Sequence, residues 1–268
     1  MFNFLVFFIF ILGLIIGSFL NCLIWRLHTE ESLMGRSYCP KCKKQIFWYD
    51  NIPILSFLIL RGKCRHCGKS ISWQYPMVEL VMGAMFAITF IINFQFPISN
   101  FQSINNFQFS NIFIIQLLRD WFLIAVMTVV FIYDFKWYLI LDIVVLPACI
   151  IILILNLIIG DSSWLNLLFS GIIGGSFFLI QYIISKGKWI GGGDIRLGLL
   201  MGLALGWPNI IAGIILAYFI GSVTAIGLIL AKKKQWGSQL PLGVFLAPAT
   251  IIVLFWGDRI INWYINLL

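Results

Sequence analysis

The stretch LILDIVVLPACIIILILNLIIG, residues 139–160, carries a single charge, Asp142, and is otherwise almost wholly apolar. Roughly 20 consecutive apolar residues are needed to cross a bilayer as a helix, so this segment reads as a membrane span. Runs of similar character occur at 4–24, 77–95, 113–133, 164–185, 208–231 and 244–265. A shorter run, 195–206, follows three glycines at 191–193. The expected fold class is therefore an all-α polytopic membrane protein of about eight transmembrane helices, the sixth of them short. Overall composition agrees, with 61% hydrophobic and 10% charged residues, against about a quarter charged in soluble domains.

The first run has no basic segment ahead of it and is longer than the apolar core of a secretion signal. It is read as a retained helix, and its end, Gly17-Ser-Phe-Leu-Asn21, as a packed face, because small residues let membrane helices approach closely. Basic residues set the orientation. They crowd the segment between the first two runs and recur at Lys136, at Lys186, Lys188 and Arg196, and at Lys232-Lys233-Lys234, whereas the alternate loops 96–112, 161–163 and 207–209 have none. An excess of Lys and Arg marks cytoplasmic loops, which puts both termini outside the cytoplasm. The net charge of +8 is then a topological signal with anionic lipid as its neighbour, and nucleic acid is excluded as a partner. Three regions are expected: a first transmembrane helix at 1–27, a cytosolic insert at 28–75 and a helical bundle at 76–268. Residues 94–112, rich in Asn, Gln and Ser, read as a short external loop.

Six cysteines divide by position. Cys22 and Cys149 lie in apolar runs and act as small hydrophobes. Cys39, Cys42, Cys64 and Cys67 form two C-x-x-C knuckles separated by 21 residues, one more than the usual window for a four-cysteine zinc site. Two thiolates from each tight turn suit tetrahedral zinc, and a cytosolic location disfavours disulfides. The alternative is a redox dithiol pair. So small an insert has little core, so structural zinc is expected to supply much of its folding free energy.

Four acids, Glu79, Asp134, Asp142 and Asp194, lie at or inside the ends of apolar runs, where ionisable groups are costly and point to function. Asp134 closes the third run and Asp194 opens the sixth, so topology brings both to the same depth on the cytoplasmic side. Two carboxylates sharing one proton can hydrolyse a peptide bond, the ionised one activating water and the protonated one polarising the carbonyl. Asp134 and Asp142 pair less well, since eight residues of helix would hold them about 12 Å apart. Gly191 and Gly193 permit close backbone approach beside Asp194. Glu79 and Asp142 are assigned supporting roles, Glu79 in orienting the insert or pairing with a basic loop and Asp142 as a hydrogen-bonding neighbour of the site.

Taken together, Gly17-Ser-Phe-Leu-Asn-Cys-Leu-Ile-Trp-Arg26, the two cysteine knuckles leading to Tyr75-Pro-Met-Val-Glu79, Tyr133-Asp134 and Gly191-Gly-Gly-Asp194-Ile-Arg-Leu resemble the type IV prepilin peptidase family almost end to end. The resemblance implies a bacterial inner-membrane aspartic protease with Asp134 and Asp194 as catalytic residues. It implies prepilin and pseudopilin substrates of type IV pili and type II secretion, losing a short basic leader after a glycine at the cytoplasmic face. It also implies N-methylation of the new N-terminus with S-adenosylmethionine, an activity associated with the cysteine-bearing insert. One departure is Leu141, where the family commonly has proline. Two other readings stand beside this one: a general intramembrane G-x-G-D protease, suggested also by Gln239-Leu-Pro241-Leu, and an ion-conducting transporter with a regulatory zinc module.

Overall fold

The computed structural model describes residues 2–32, 34–95, 111–235 and 239–267. The loop read at 94–112 lies largely outside them. Nine α-helices and one 3-10 turn, Trp48–Asn51, are present among the described residues: α1 (Phe2–Thr29), α2 (Leu55–Ile59), α3 (Gln74–Gln95), α4 (Asn111–Trp137), α5 (Asp142–Ile159), α6 (Trp164–Ser185), α7 (Gly192–Leu205), α8 (Asn209–Leu230) and α9 (Gly243–Ile265). Seven of these are long and apolar enough to cross a membrane. α7 is the short one: its 14 residues reach about 21 Å at 1.5 Å per residue, less than the roughly 30 Å of hydrocarbon. The chain is an all-α polytopic membrane protein. It divides into two compact units, Met1–Phe109 and Ser110–Leu268. α3 therefore lies in the same compact unit as α1.

The first unit owes that grouping to small residues. A Cβ on Gly13 would stand 2.6 Å from the Met82 carbonyl oxygen, and one on Gly17 would stand 2.7 Å from Glu79 Cα. One turn further on, Asn21 Nδ2 donates to the Tyr75 carbonyl at 3.1 Å, and Gln74 Nε2 donates to Asn21 Oδ1 at 3.2 Å. Contacts that rise along α1 while falling along α3 make the pair antiparallel. The face read at Gly17–Asn21 is indeed packed.

The second unit repeats the device. Ser170 Oγ donates to the Gly202 carbonyl at 2.7 Å, and a Cβ on Gly174 would meet the Gly198 carbonyl oxygen at 2.2 Å. Positions four residues apart on α6 thus seat against positions four apart on α7, again antiparallel. Leu197, Leu200 and Met201 of α7 are fully buried, so the short helix runs through the core of this unit. At its C-terminal end, Asn156 Nδ2 donates to the Leu203 carbonyl at 2.8 Å, and Arg119 Nη1 donates to Asn156 Oδ1 at 2.9 Å. Arg119 also pairs with Asp120 at 2.7 Å. This chain of bonds ties α4, α5 and α7 at one end of the unit, where polar groups inside apolar helices need partners.

Replacing Gly198 with Ala would press a methyl into the Gly174 carbonyl and the Phe178 ring. It should destabilise the detergent-solubilised protein by about 1–3 kcal/mol, seen as a lower thermal midpoint. Gly227→Ala in α8, with nothing within 4 Å of the new Cβ, should leave the midpoint unchanged or slightly raised.

Candidate functional site

Four helix ends meet at the other end of the second unit. α4 finishes at Trp137, α5 starts at Asp142, α7 starts at Gly192 and α9 starts at Gly243. Asp134 lies in the last turn of α4 and Asp194 in the first turn of α7, and both are buried. The charge of Asp134 reaches Asp194. The structure thus brings together the two acids that the sequence reading paired.

Each acid is held by a helix start. Asp194 Oδ2 accepts the Gly191 amide at 2.8 Å, capping its own helix. Asp134 lies against the first turn of α9: a Cβ on Gly243 would stand 2.8 Å from Asp134 Oδ2. The amides of Gly243 and Val244 face that carboxylate, yet Oδ2 has no partner at full hydrogen-bond geometry and is buried. Helix N-termini favour negative charge, which offsets part of the repulsion between two neighbouring carboxylates. A buried oxygen without a protein partner is costly and is available to a shared proton or to a substrate hydrogen.

The glycine run has unequal members. A Cβ on Gly193 would stand 2.7 Å from Ile140 Cβ, so glycine is required for α7 to approach the turn between α4 and α5. A Cβ on Gly192 would meet nothing within 4 Å, and one on Gly191 would make only ordinary contact with Asp194. The contribution of Gly191 is its amide.

Asp142 joins neither carboxylate. It forms an ion pair with Arg196 that links the start of α5 to the first turn of α7, two residues from Asp194. The continuous helix assumed between Asp134 and Asp142 is absent, because α4 ends at Trp137 and Tyr138 adopts φ 57°. Leu141, the N-cap of α5, has φ −81°, near the value proline imposes; the family proline would fit this backbone. Gly243 was not singled out from sequence. A glycine two residues after Pro241 at the start of the last apolar run was the signal that could have found it. At the opposite end of the unit, a cavity of about 200 Å³ is lined by Arg119, Asn156, Asn209 and Asp258, away from both acids.

The insert of the first unit carries the second cluster. The four thiol sulfurs of Cys39, Cys42, Cys64 and Cys67 lie within 4.8 Å of one another. Zinc bound at about 2.3 Å to four thiolates needs sulfurs roughly 3.8 Å apart, so the donor set fits a single zinc ion. The two knuckles are built alike. The Cys39 amide donates to the Lys44 carbonyl at 2.9 Å, and the Cys64 amide to the Lys69 carbonyl at 2.9 Å; Ile46 closes onto Ser37 and Ile71 onto Gly62. This C-x-x-C-x-K-x-I repeat was legible in the sequence but was not used there. Left-handed residues follow the second cysteine of each, Lys43 at φ 59° and Gly68 at φ 67°.

The thiols differ in acidity. Amides of Cys67 and His66 hold the Cys64 thiol down at about 7. The Lys44 amide pulls Cys42 down, but burial and the neighbouring Cys39 and Cys67 thiols push it up to about 11. A dication relieves this crowding by taking all four as thiolates. Beside the knuckles, Arg65 bonds both oxygens of Asp50, at 2.8 and 2.6 Å, and holds that carboxyl below its usual range. The Asp50 contribution is thus full above the ordinary carboxylate pKa and is lost as pH falls through its lowered value. Glu79 accepts the Ile54 amide at 2.8 Å, which pins the insert to α3.

Elemental analysis of the purified protein should find one zinc per chain. Cys39→Ser or Cys64→Ser should lose it and lower the thermal midpoint, whereas Cys149→Ser should retain it.

Comparison with known proteins extends over nearly the whole chain. Residues 11–93 match the bacterial peptidase A24 N-terminal domain and residues 121–226 match the type IV leader peptidase family. Curated relatives named prepilin leader peptidase/N-methyltransferase include one from Stutzerimonas stutzeri, 30% identical over 96% of this chain and 92% of its own. Another is from Bacillus subtilis, 30% identical over 97% of both chains, and a third from Pseudomonas aeruginosa is 27% identical over 96% and 92%. No solved structure matches. Sequence similarity across both units, together with the paired aspartates and the cysteine knuckles, shows that this chain belongs to the type IV leader peptidase family.

Proposed function

We propose that this protein is a prepilin leader peptidase in which Asp134 and Asp194 share the general acid/base work. The single observation that supports the proposal is that two buried carboxylates, from α4 and α7, lie at one end of the second unit with the charge of Asp134 reaching Asp194. One carboxylate, ionised, takes a proton from the attacking water; its protonated partner donates a hydrogen bond to the scissile carbonyl and later delivers the proton to the departing amine. Gly191 orients Asp194 through its amide, and the first turn of α9 supports negative charge on Asp134. Arg196, held by Asp142, keeps a fixed cation beside the site.

The substrates are prepilins and pseudopilins with short basic leaders, and the location is the bacterial inner membrane, with the site at its cytoplasmic face. The chain junctions beside the two acids support this orientation: they hold Lys136, Lys186, Lys188 and the Lys232-Lys233-Lys234 run, whereas the junctions at the opposite end, 160–163 and 206–208, hold no Lys or Arg. By the excess of positive charge inside, both termini are then external. Residues 28–75 form the zinc-bearing cytosolic domain, with Cys39, Cys42, Cys64 and Cys67 as ligands; the ion's role is to fold the insert.

N-methylation of the trimmed product from S-adenosylmethionine is proposed as a second activity on the strength of the resemblance and of the relatives' names. Two cavities of the second unit do not fit such a donor. The one of about 200 Å³ is below the size of small-molecule sites, and the one of about 360 Å³ is lined by Ile173, Phe177, Ile211, Ile214, Ile215 and Tyr218, too apolar for a charged nucleoside. The ion-transport reading gains no support from the fold or the relatives.

Mass spectrometry of a co-expressed prepilin tests both activities. Asp134→Asn and Asp194→Asn should each reduce leader removal by about 10²-fold or more, with the protein still in the membrane; efficient cleavage by either variant rejects the dyad. Gly243→Ala, which crowds Asp134, should slow cleavage without loss of zinc. Cys39→Ser should impair stability or methylation more than cleavage.

A further inference from the structure

The zinc insert exposes apolar side chains that its own fold leaves uncovered. In α2, Leu58 is 63% and Ile59 73% exposed, and Trp73 is 72% exposed. A water-facing surface would be expected to hide such groups or to use them.

Their depth is set by bonds to a membrane-crossing helix. The Ile54 amide, at the start of α2, donates to Glu79 Oε2, and Glu79 lies five residues inside α3, buried where Gly17 of α1 packs. The Phe57 ring contacts the Trp73 ring at 5.0 Å, and Trp73 immediately precedes α3. α2 is thus fastened at its N-cap and at its middle residue beside the first two turns of α3. Ile54 adopts φ 60° and ψ −52°, a backbone conformation that β-branched residues rarely take. The bond to a buried carboxylate holds it there.

Charge completes the pattern. Between residues 30 and 73 there are eight Lys or Arg against three Asp or Glu. One of those acids, Asp50, is neutralised by Arg65, and another, Glu31, accepts from Tyr38. Arg61 and Lys63 follow α2 directly. Apolar side chains and a tryptophan at the start of a span, flanked by cations, are the signature of a segment lying in the lipid interface.

We propose that α2 and Trp73 form an interfacial anchor, seated in the headgroup layer of an anionic leaflet, that holds the zinc insert against the bilayer surface. Leu55, Leu58 and Ile59 enter the acyl boundary, and Arg61 and Lys63 meet lipid phosphates. The inference needs only that α1 and α3 cross the membrane, and is independent of the peptidase reading.

Spin labelling of the full-length chain tests it. Ile59→Cys, in a background with Cys22→Ser and Cys149→Ser, carries a nitroxide in vesicles of phosphatidylcholine alone or with phosphatidylglycerol. Met34→Cys is the aqueous control, and retained zinc shows that the insert is folded. Should Ile59→Cys lose zinc, Leu58→Cys is read in its place. The label on α2 should be several-fold more accessible to oxygen than to a water-soluble nickel chelate, the reverse of position 34, and should sit deeper when phosphatidylglycerol is present. Nickel-dominated accessibility overturns the anchor in favour of a water-facing surface. Low accessibility to both reagents overturns it in favour of a protein partner, whether substrate or second copy. Equal depth in the two lipids overturns the requirement for anionic headgroups.

Discussion

A helix of about 21 Å cannot satisfy a 30 Å hydrocarbon layer by itself, and the second unit is organised around that shortfall. α7 is sheathed instead of exposed. Its Gly198 and Gly202 let α6 approach until backbone touches backbone, and Ser170 bonds the Gly202 carbonyl across the contact. With little hydrophobic drive between helices in lipid, such close packing and interhelical bonding carry association. Because the helix is short, polar groups sit at both its ends: Asp194 at one, and at the other the Leu203 carbonyl, claimed by Asn156, which Arg119 in turn holds.

The same economy explains how two acids coexist below the surface. Each carboxylate is met by a helix start, Asp194 by the Gly191 amide and Asp134 by the first turn of α9. The partial positive charge of the helix ends replaces some of the water that both groups have lost. Asp134 keeps one buried oxygen without a protein partner, open to a proton or to a hydrogen-bond donor. Asp142 and Arg196 form a pair at the rim, and Gly193 lets the α7 start lie against Ile140. The site is therefore a junction of four helix ends, and its geometry depends on every one of them.

In the first unit the insert meets a different constraint. It has too little apolar interior to fold on hydrophobic burial, and two near-identical knuckles bring four thiols to one point. Glu79 ties this small body to α3. That bond gives a partner to the carboxylate that the sequence reading set beside the insert.

Spans, the four-thiol cluster and the placing of Asp134 and Asp194 at one end of the bundle were legible in the linear order, because each rests on a local property: run length, ligand spacing, or the alternation of basic and uncharged loops. The approach of Gly243 to Asp134, the Asp142–Arg196 pair and the Asn156 bond to α7 were not. Each joins residues 40 or more positions apart on helices whose rotation no local pattern specifies. The amino-acid sequence alone determined which segments are long and apolar enough to cross a membrane and which acids and thiols are candidates for chemistry. Only the tertiary structure decided which helix end faces which carboxylate, because in a medium without water a polar group takes whatever partner the packing of small residues brings within reach.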